Sequence, residues 1–149
     1  MNEEFMKIAL DEAKIAFFNN DVPIGAVIVK DGEVIAFAHN NKNSDNLVSS
    51  HAEIIAIEEA EKKLGNWRLN DCDIYVTLDP CPMCASAIKQ ARINNVYSAL
   101  SNTDSNILEI IEMIFNQNDS TNKKVVFKTD LYVDESKKLL SLFFENKRK

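Results

Sequence analysis

The sequence predicts an α/β domain, and two observations support this fold class. Segments with the three- and four-residue spacing of helical apolar faces alternate along the chain with short apolar runs typical of strands. The 149 residues are 46% hydrophobic and 27% charged, with only three Gly and three Pro, which matches an average soluble globular domain. A chain of this length buries roughly 68–70% of its unfolded surface, enough for a core. We therefore expect residues 1–149 to form one domain whose sheet is covered by helices on both faces.

The amino-terminal part contains a predicted helix followed by a predicted hairpin. The helix extends from about residue 2 to residue 19, and the Asp-Val-Pro sequence at 21–23 ends it. Strands follow at residues 24–29 and 34–38, and the Asp31-Gly32 pair between them is typical of a tight hairpin turn. The apolar face of the helix is expected to carry Phe5, Ile8, Ala9, Ala13, Ala16 and Phe17.

The remainder of the chain continues the alternation. Residues 40–46 are polar and rich in Asn, which predicts a loop. Ser49 or Ser50 is expected to cap a helix over residues 51–64. The buried side of that helix is expected to carry Ile54, Ile57 and Ala60. Further strands are predicted at 73–78, 95–100 and 124–128, and further helices at 81–91, 107–115 and 134–146.

Charge and cysteine content narrow the class of protein. The net charge of −6 argues against a surface that binds polyanions everywhere, although a local basic patch acts through its own field. The acidic amino terminus lacks the pattern of a secretory signal, and no apolar run approaches the ~18–20 residues that span a bilayer. Two of the three cysteines lie three positions apart, a spacing typical of metal or catalytic sites in a reducing compartment. We expect a cytoplasmic protein with no membrane segment.

Two short motifs carry the chemistry. They are His51-Ala52-Glu53 and, about thirty positions later, Pro80-Cys81-Pro82-Met83-Cys84. Cys81 and Cys84 lie in the first turn of one predicted helix, on the same side, where free N–H groups and the helix dipole favour thiolates. His51 begins another helix and can bring a neutral imidazole to the same point. Two thiolates and one imidazole are a ligand set for a catalytic Zn²⁺, which keeps a fourth position for water.

Glu53 follows the predicted ligand by two residues and supplies the missing base. A Zn²⁺ ion with two thiolates retains little net charge, so a nearby carboxylate that takes the proton from water is valuable. The alternatives are a closed zinc site with Cys72 as fourth ligand, or a redox cysteine pair without metal. Cys72 precedes a predicted strand and is better interpreted as a solvent-shielded strand-end residue. His39 is likewise expected at a strand end.

The combined pattern H-x-E and P-C-x-x-C is the signature of zinc deaminases. Within that superfamily the chain resembles the bacterial tRNA adenosine deaminases over nearly its whole length. The segments that carry the resemblance are 22–27, Asn40, 67–69, 74–78 and 139–149. The resemblance implies a three-layer α/β/α fold of the cytidine-deaminase type, with a central mixed sheet of about five strands flanked by helices.

The resemblance also implies an activity and a set of substrate contacts. The reaction is hydrolysis of adenosine to inosine at the wobble position of a tRNA anticodon, with Glu53 shuttling protons. It further implies one Zn²⁺ per subunit and a homodimer. Asn40 is expected to bind the flipped base, and backbone N–H groups near Cys81 and Ala52 are expected to face the base and the developing charge. Pro80 is expected beside the substrate.

The terminal helix is expected to help hold the tRNA anticodon stem-loop, as the family's terminal helix does. Its candidate RNA-binding residues are Phe143, Phe144, Lys147 and Arg148. Exposed rings can stack on unpaired bases, and basic side chains can contact phosphates. The alternative interpretation is structural, because a Phe pair on an amphipathic helix is often core and a basic helix end complements the dipole.

The sequence departs from the family pattern at several positions. Asp79 stands where the family usually has glutamate, and Ser49-Ser50 replaces threonine-alanine. Residues 98–104 contain no glycine, although the family has a glycine-bearing loop there that touches RNA. Together with the acidic net charge, this leaves a free nucleobase or nucleoside deaminase, of the guanine or cytosine type, as the alternative function. A non-catalytic zinc-stabilised RNA-binding subunit is a further alternative, but such a subunit has no need of Glu53.

Overall fold

A five-stranded mixed sheet forms the centre of the molecule, in a computed structural model that describes residues 1–102, 104–117 and 124–147, with side chains described up to residue 145. The elements in chain order are α1 (Glu3–Phe18), β1 (Gly25–Lys30), β2 (Glu33–His39), α2 (Lys42–Asp45), α3 (Ala52–Leu64), β3 (Cys72–Val76), α4 (Pro82–Gln90), β4 (Asn95–Ser98), α5 (Ser105–Asn116), β5 (Val126–Lys128) and α6 (Val133–Lys147). The strand order is β2-β1-β3-β4-β5. The three-layer α/β/α prediction is confirmed.

The strand directions bring five loops to one edge of the sheet. β1 pairs antiparallel with both β2 and β3, whereas β3, β4 and β5 are mutually parallel. The carboxyl ends of β3, β4 and β5 therefore lie at the same edge as the start of β1 and the end of β2. In open α/β sheets, ligands bind outside the carboxyl ends of the strands. This edge is called the carboxyl edge below.

Two apolar clusters cover the two faces of the sheet. Alternate residues of a strand point to opposite faces, so Val27 packs against α1 while Ile28 packs against α3 and α4. The α1 side includes Met6, Leu10 and Tyr75. The larger cluster joins α3, α4 and α5 to the sheet. α6 packs on α1, and none of its described residues belongs to either cluster.

Gly25 allows α1 to lie directly on the first strand. A Cβ built at this position would lie 1.9 Å from the carbonyl oxygen of Ala9, a backbone atom. Real Cβ atoms do not approach so closely, so any other residue would displace α1. The glycine thus fixes the distance between this helix and the sheet.

Two expectations about local structure differ from the observed fold. Residues 40–46 include the short helix α2 because Asn41 Nδ2 donates to Asp45 Oδ1 at 2.8 Å and the Asp45 N–H donates to the Asn41 carbonyl at 2.9 Å. Ile54 is only half-buried, whereas Ile57 and Ala60 are buried as expected. The Asn-rich composition concealed a turn of helix that its own side chains stabilise.

None of the helices in the described ranges has both the length and the apolar character required to cross a bilayer.

Candidate active site

Three potential metal ligands meet where α3 and α4 begin at the carboxyl edge. His51 is the N-cap residue of α3, Cys81 is the N-cap residue of α4, and Cys84 lies in the first turn of α4. His51 Nδ1 lies 3.7 Å from Cys81 Sγ and 3.4 Å from Cys84 Sγ. Their ligand atoms all lie within 4.8 Å of one another. Pro82 opens α4, a position where the missing N–H costs nothing.

The environment of the two cysteines favours negative charge on Cys81. A hydrogen bond from the Cys84 thiol lowers the pKa of Cys81 to about 5, with backbone N–H groups of Cys84 and Met83 and the nearby His51 acting in the same direction. The pKa of Cys84 is raised, because it donates that hydrogen bond and is buried. The pair therefore holds one negative charge near neutral pH and attracts a cation.

This ligand set fits zinc. One imidazole nitrogen and two thiolate sulfurs are the ligands that Zn²⁺ takes at three-ligand sites with an open fourth position. Cys72 does not belong to the group found among the described residues. It is the first residue of β3, at the opposite edge of the sheet, where its buried Sγ lies 3.6 Å from the Asn70 carbonyl oxygen. The strand-end interpretation of Cys72 agrees with this placement.

Glu53 places a buried carboxyl group beside the ligands. It lies in the first turn of α3 with only 3% of its surface exposed, and its Oε1 atom has no hydrogen-bond partner. Its pKa is raised to about 7, chiefly by burial and also by the negative charge on Cys81, while hydrogen bonds from the backbone and from Cys84 act in the opposite direction. Buried polar atoms without a partner are rare in folded proteins. A buried acid with a free Oε1 atom at this position is therefore suited to exchange protons with a bound molecule.

Asn40 connects the end of β2 to the start of α3. Its Oδ1 accepts a hydrogen bond from the backbone N–H of Ala52 at 2.8 Å, and the side chain is 6% exposed. The Ala52 N–H, expected to face the substrate, is thus already bonded to Asn40. The expected cap by Ser49 or Ser50 is wrong, because the Ser50 hydroxyl donates to Asp45 instead. The first N–H of α3 is satisfied from twelve residues upstream.

The residues expected to contact RNA divide into buried and exposed members. Phe143 is only 5% exposed and packs edge-to-face against Phe17 and Phe144, so it supports its neighbours and is not available to stack on a base. Phe144 is 48% exposed. Lys147 ends α6, but its side chain lies outside the described residues, as does all of Arg148.

Phe18, the last residue of α1, is 81% exposed, and no prediction from the sequence concerned this exposed ring. Its ring contacts Phe17 edge-to-face, with the centroids 5.7 Å apart. The helical spacing could have identified it, because a half-buried Phe17 places the next residue on the outer face of α1.

His39 and Pro80 both lie at the carboxyl edge. His39 is the last residue of β2, as expected, and its Nδ1 lies 3.1 Å from Glu12 Oε1. Pro80 is buried directly before Cys81. The structure therefore brings together Asn40, Glu53, Pro80 and the three potential ligands at the carboxyl edge.

A three-layer domain that collects these groups at this edge defines the class of nucleobase-type deaminases, which are hydrolases. The family model described as MafB19-like deaminase matches residues 1–148. The chain belongs to this deaminase family.

Individual relatives agree with this membership. A tRNA-specific adenosine deaminase from Aquifex aeolicus is 40% identical over 148 residues, covering 98% of this chain and 95% of that protein. The solved structure of a tRNA:A34 deaminase, from a study of A-to-I editing at the wobble position of transfer RNA, superposes with a TM-score of 0.85 at 40% identity. It covers 93% of this chain and 100% of that one. A guanine deaminase from Bacillus subtilis matches with a TM-score of 0.67 at 35% identity, covering 100% and 96%.

Proposed function

We propose that the protein is a tRNA-specific adenosine deaminase, which hydrolyses adenosine to inosine at the wobble position of an anticodon. The observation that carries the reaction type is the buried Glu53 carboxyl, whose Oε1 atom has no hydrogen-bond partner, beside the His51, Cys81 and Cys84 group. The relatives named tRNA-specific adenosine deaminases support the substrate. We also propose that residues 1–149 form a single zinc-dependent deaminase domain with one zinc per subunit.

His51, Cys81 and Cys84 would hold the zinc ion. When bound, Zn²⁺ supplies Lewis acidity that makes an attacking water nucleophilic at neutral pH. Glu53 would take the two protons of that water in turn, passing one to N1 of the ring and one to the exocyclic amine, so that C6 gains oxygen and ammonia leaves. A pKa of about 7 suits a group that accepts and then donates a proton in one turnover.

Asn40, Ala52 and Pro80 would position the base. Because Asn40 Oδ1 is held by the Ala52 N–H, the side-chain amide is fixed in orientation and its Nδ2 group can donate to a ring nitrogen of a purine. Ala52 acts through Asn40 in this proposal. Pro80 is buried beside Cys81 and would form part of the pocket wall.

The RNA would be held at the end of α6. Phe144 offers a half-exposed ring for stacking on an unpaired base, with Phe143 as its support, and Lys147 and Arg148 would contact phosphates. Such a local basic end can bind RNA despite a net charge of −6. A tRNA substrate and reduced thiols both favour a cytoplasmic location.

A homodimer is part of the proposal. The outer side of α3 and α4 carries a groove whose lining includes the apolar residues Ile54, Ile57, Trp67 and Ala87 together with Glu58, Glu61 and Gln90, and Trp67 is 49% exposed. A groove that combines an exposed Trp with polar residues has the composition of a protein interface.

One assay tests the substrate. The zinc-loaded protein is incubated with an anticodon stem-loop bearing a wobble adenosine and, separately, with adenosine, guanine and cytosine. We expect inosine in the stem-loop and no turnover of the free compounds. Glu53→Ala is the control and should bind the stem-loop while losing ~10²–10⁴-fold in rate, because one residue serves both proton transfers.

Guanine is the second candidate substrate, because a guanine deaminase is 35% identical over the whole chain. Xanthine formed from guanine, with the stem-loop unchanged, would replace the proposed function with this one.

A further inference from the structure

Asp79 is a buried carboxylate at the active-site edge that the metal ligands and Glu53 do not use. It directly precedes Pro80 and Cys81, and only 4% of its surface is exposed. We propose that Asp79 is a positioning residue, whose carboxylate fixes the loops after β4 and β5 at the rim of the site. The substrate side of this proposal rests on the proposed function, whereas the loop geometry does not.

The carboxylate accepts hydrogen bonds from both loops. Thr129 Oγ1, after β5, donates to Asp79 Oδ1 at 2.6 Å. Ser101 Oγ and the Asn102 backbone N–H, after β4, donate to Oδ2 at 3.3 Å and 3.1 Å. The backbone N–H of Asp79 donates in turn to the Leu100 carbonyl at 2.9 Å. One residue thus joins the approach to Cys81 to two other loops.

A second carboxylate links the same loops directly. The backbone N–H of Ser101 donates to Asp130 Oδ1 at 2.8 Å. Asp130 adopts a left-handed backbone conformation, with φ of 59°, which turns the chain after Thr129. The loop after β4 is therefore held on one side by Asp79 and on the other by Asp130.

Burial makes this arrangement costly to change. A carboxylate only accepts hydrogen bonds. When it is buried, donors from the protein take the place of water, so losing them leaves the charge without hydrogen bonds at a large cost in free energy. Among the described residues, the donors to the Asp79 carboxylate are two hydroxyls and one backbone amide, all neutral and all from the rim loops. If either loop moved outward, Asp79 would lose part of this shell, so the loops stay closed over it.

The loops that Asp79 joins lie at the edge of the sheet that carries the potential metal ligands. Asp79 follows β3, and the two loops follow β4 and β5, so all three lie at the carboxyl ends of parallel strands. In open α/β sheets, ligands bind outside this edge. A shift of Ser101 or Asn102 would therefore change the surface beside Cys81.

The test compares Asp79→Ala with Asp73→Ala. Asp73 Oδ1 accepts from Asn95 Nδ2 at 2.7 Å, so it also joins β3 to β4, but at the opposite edge of the sheet. In zinc-loaded Asp79→Ala, we expect the backbone amide of Asn102 to exchange its hydrogen at least tenfold faster than in wild type. The KM for the anticodon stem-loop should rise at least tenfold, with kcat within threefold of wild type and one zinc per chain. Asp73→Ala should change neither the exchange nor KM.

Conservative variants separate positioning from a merely structural role. Asp79→Asn should lie between wild type and Asp79→Ala, because its Oδ1 can still accept from Asn102 while Nδ2 donates to Thr129. If Asp79→Ala does not fold, Thr129→Val decides the matter at nearly constant shape, with about threefold changes expected in the same direction. Unchanged exchange at Asn102 overturns the proposal, and so does loss of zinc with a fall in kcat at constant KM. If wild type leaves the stem-loop unedited, the proposed function fails, and the exchange measurement alone still decides the role of Asp79.

Discussion

At the scale of single residues, Glu53 combines burial, an unpartnered oxygen and proximity to the ligand cysteines. An exposed glutamate is almost fully ionised at neutral pH, and its pKa is too low for it to return a proton efficiently. The burial of Glu53 brings its pKa to about 7. The proposed acid–base role therefore depends on the buried position of Glu53 in the first turn of α3, and the same burial has a cost for stability.

That cost predicts a pH dependence in protein freed of metal by a chelator. The pKa of Glu53 rises from its ordinary 4.5 to about 7 on folding, so its stabilising contribution is complete below 4.5 and is lost as pH rises through 7. Glu53→Gln lacks this loss. We expect the variant's advantage in unfolding free energy to grow with pH and to level off above 7, at on the order of 3 kcal/mol. Urea unfolding at pH 5, 6, 7 and 8 measures it.

Cys81 titrates in the opposite direction, so only the difference between wild type and variant isolates Glu53. The pKa of Cys81 is lowered to about 5, which adds stability as pH rises from there towards 9. Glu59→Gln, at an exposed position of α3, is the matched control, because its carboxyl stays in water in both states. A difference between wild type and Glu53→Gln that does not vary with pH would contradict the buried-acid description.

At the scale of elements, the start of α3 depends on a residue from another loop. Asn40→Ala should lower the free energy of unfolding by about 1–2 kcal/mol, because the Ala52 N–H loses its cap. Asn40→Asp keeps the acceptor and removes the amide donor, so it should retain most of the stability while KM for the stem-loop rises. Urea unfolding and steady-state kinetics measure the two effects. If KM rises only in proportion to the loss of stability in both variants, Asn40 serves only as a cap.

α6 gives a second comparison between neighbouring residues. Phe143→Ala should lower the melting temperature markedly, because removing a buried Phe costs about 3–5 kcal/mol, and Phe143 is 5% exposed. Phe144→Ala, at a 48% exposed position, should cost far less stability but weaken stem-loop binding. Thermal unfolding and RNA titration at several salt concentrations measure both. Equal RNA affinity of Phe144→Ala and wild type would remove the ring from the proposed interface.

Local patterns in the sequence predicted the helices and strands, because apolar spacing records which face is buried. Ends and caps were predicted less well. The cap of α3 comes from Asn40 rather than Ser49 or Ser50, a tertiary contact that a local motif cannot show. The burial of Phe143 depends on Phe17, more than a hundred positions away. The ligand group was predictable because its spacing encodes its geometry, whereas the role of Asp79 needed the positions of three loops.

At the scale of the whole molecule, the proposed zinc site joins two helices to the sheet edge. Cys84→Ala should lose zinc and lower the melting temperature by roughly 10 °C, since a ligand at a thousand times its Kd stabilises by about 4 kcal/mol. Cys72→Ser should keep one zinc per chain, because Cys72 lies at the other edge and its hydroxyl replacement can bond the Asn70 carbonyl. Metal analysis and calorimetry measure these effects. Zinc release from Cys72→Ser would indicate a closed four-ligand site.

Gly25 has a consequence for how far this chain can evolve. A Cβ atom there would lie 1.9 Å from the Ala9 carbonyl oxygen. Substitution of Gly25 is therefore not tolerated while α1 keeps its place on β1. Variants that still fold therefore keep the backbone of α1 where it is, whereas an exposed side chain on that helix, such as Phe18, can vary. A library of variants built on this protein should leave Gly25 fixed and place its substitutions at exposed positions.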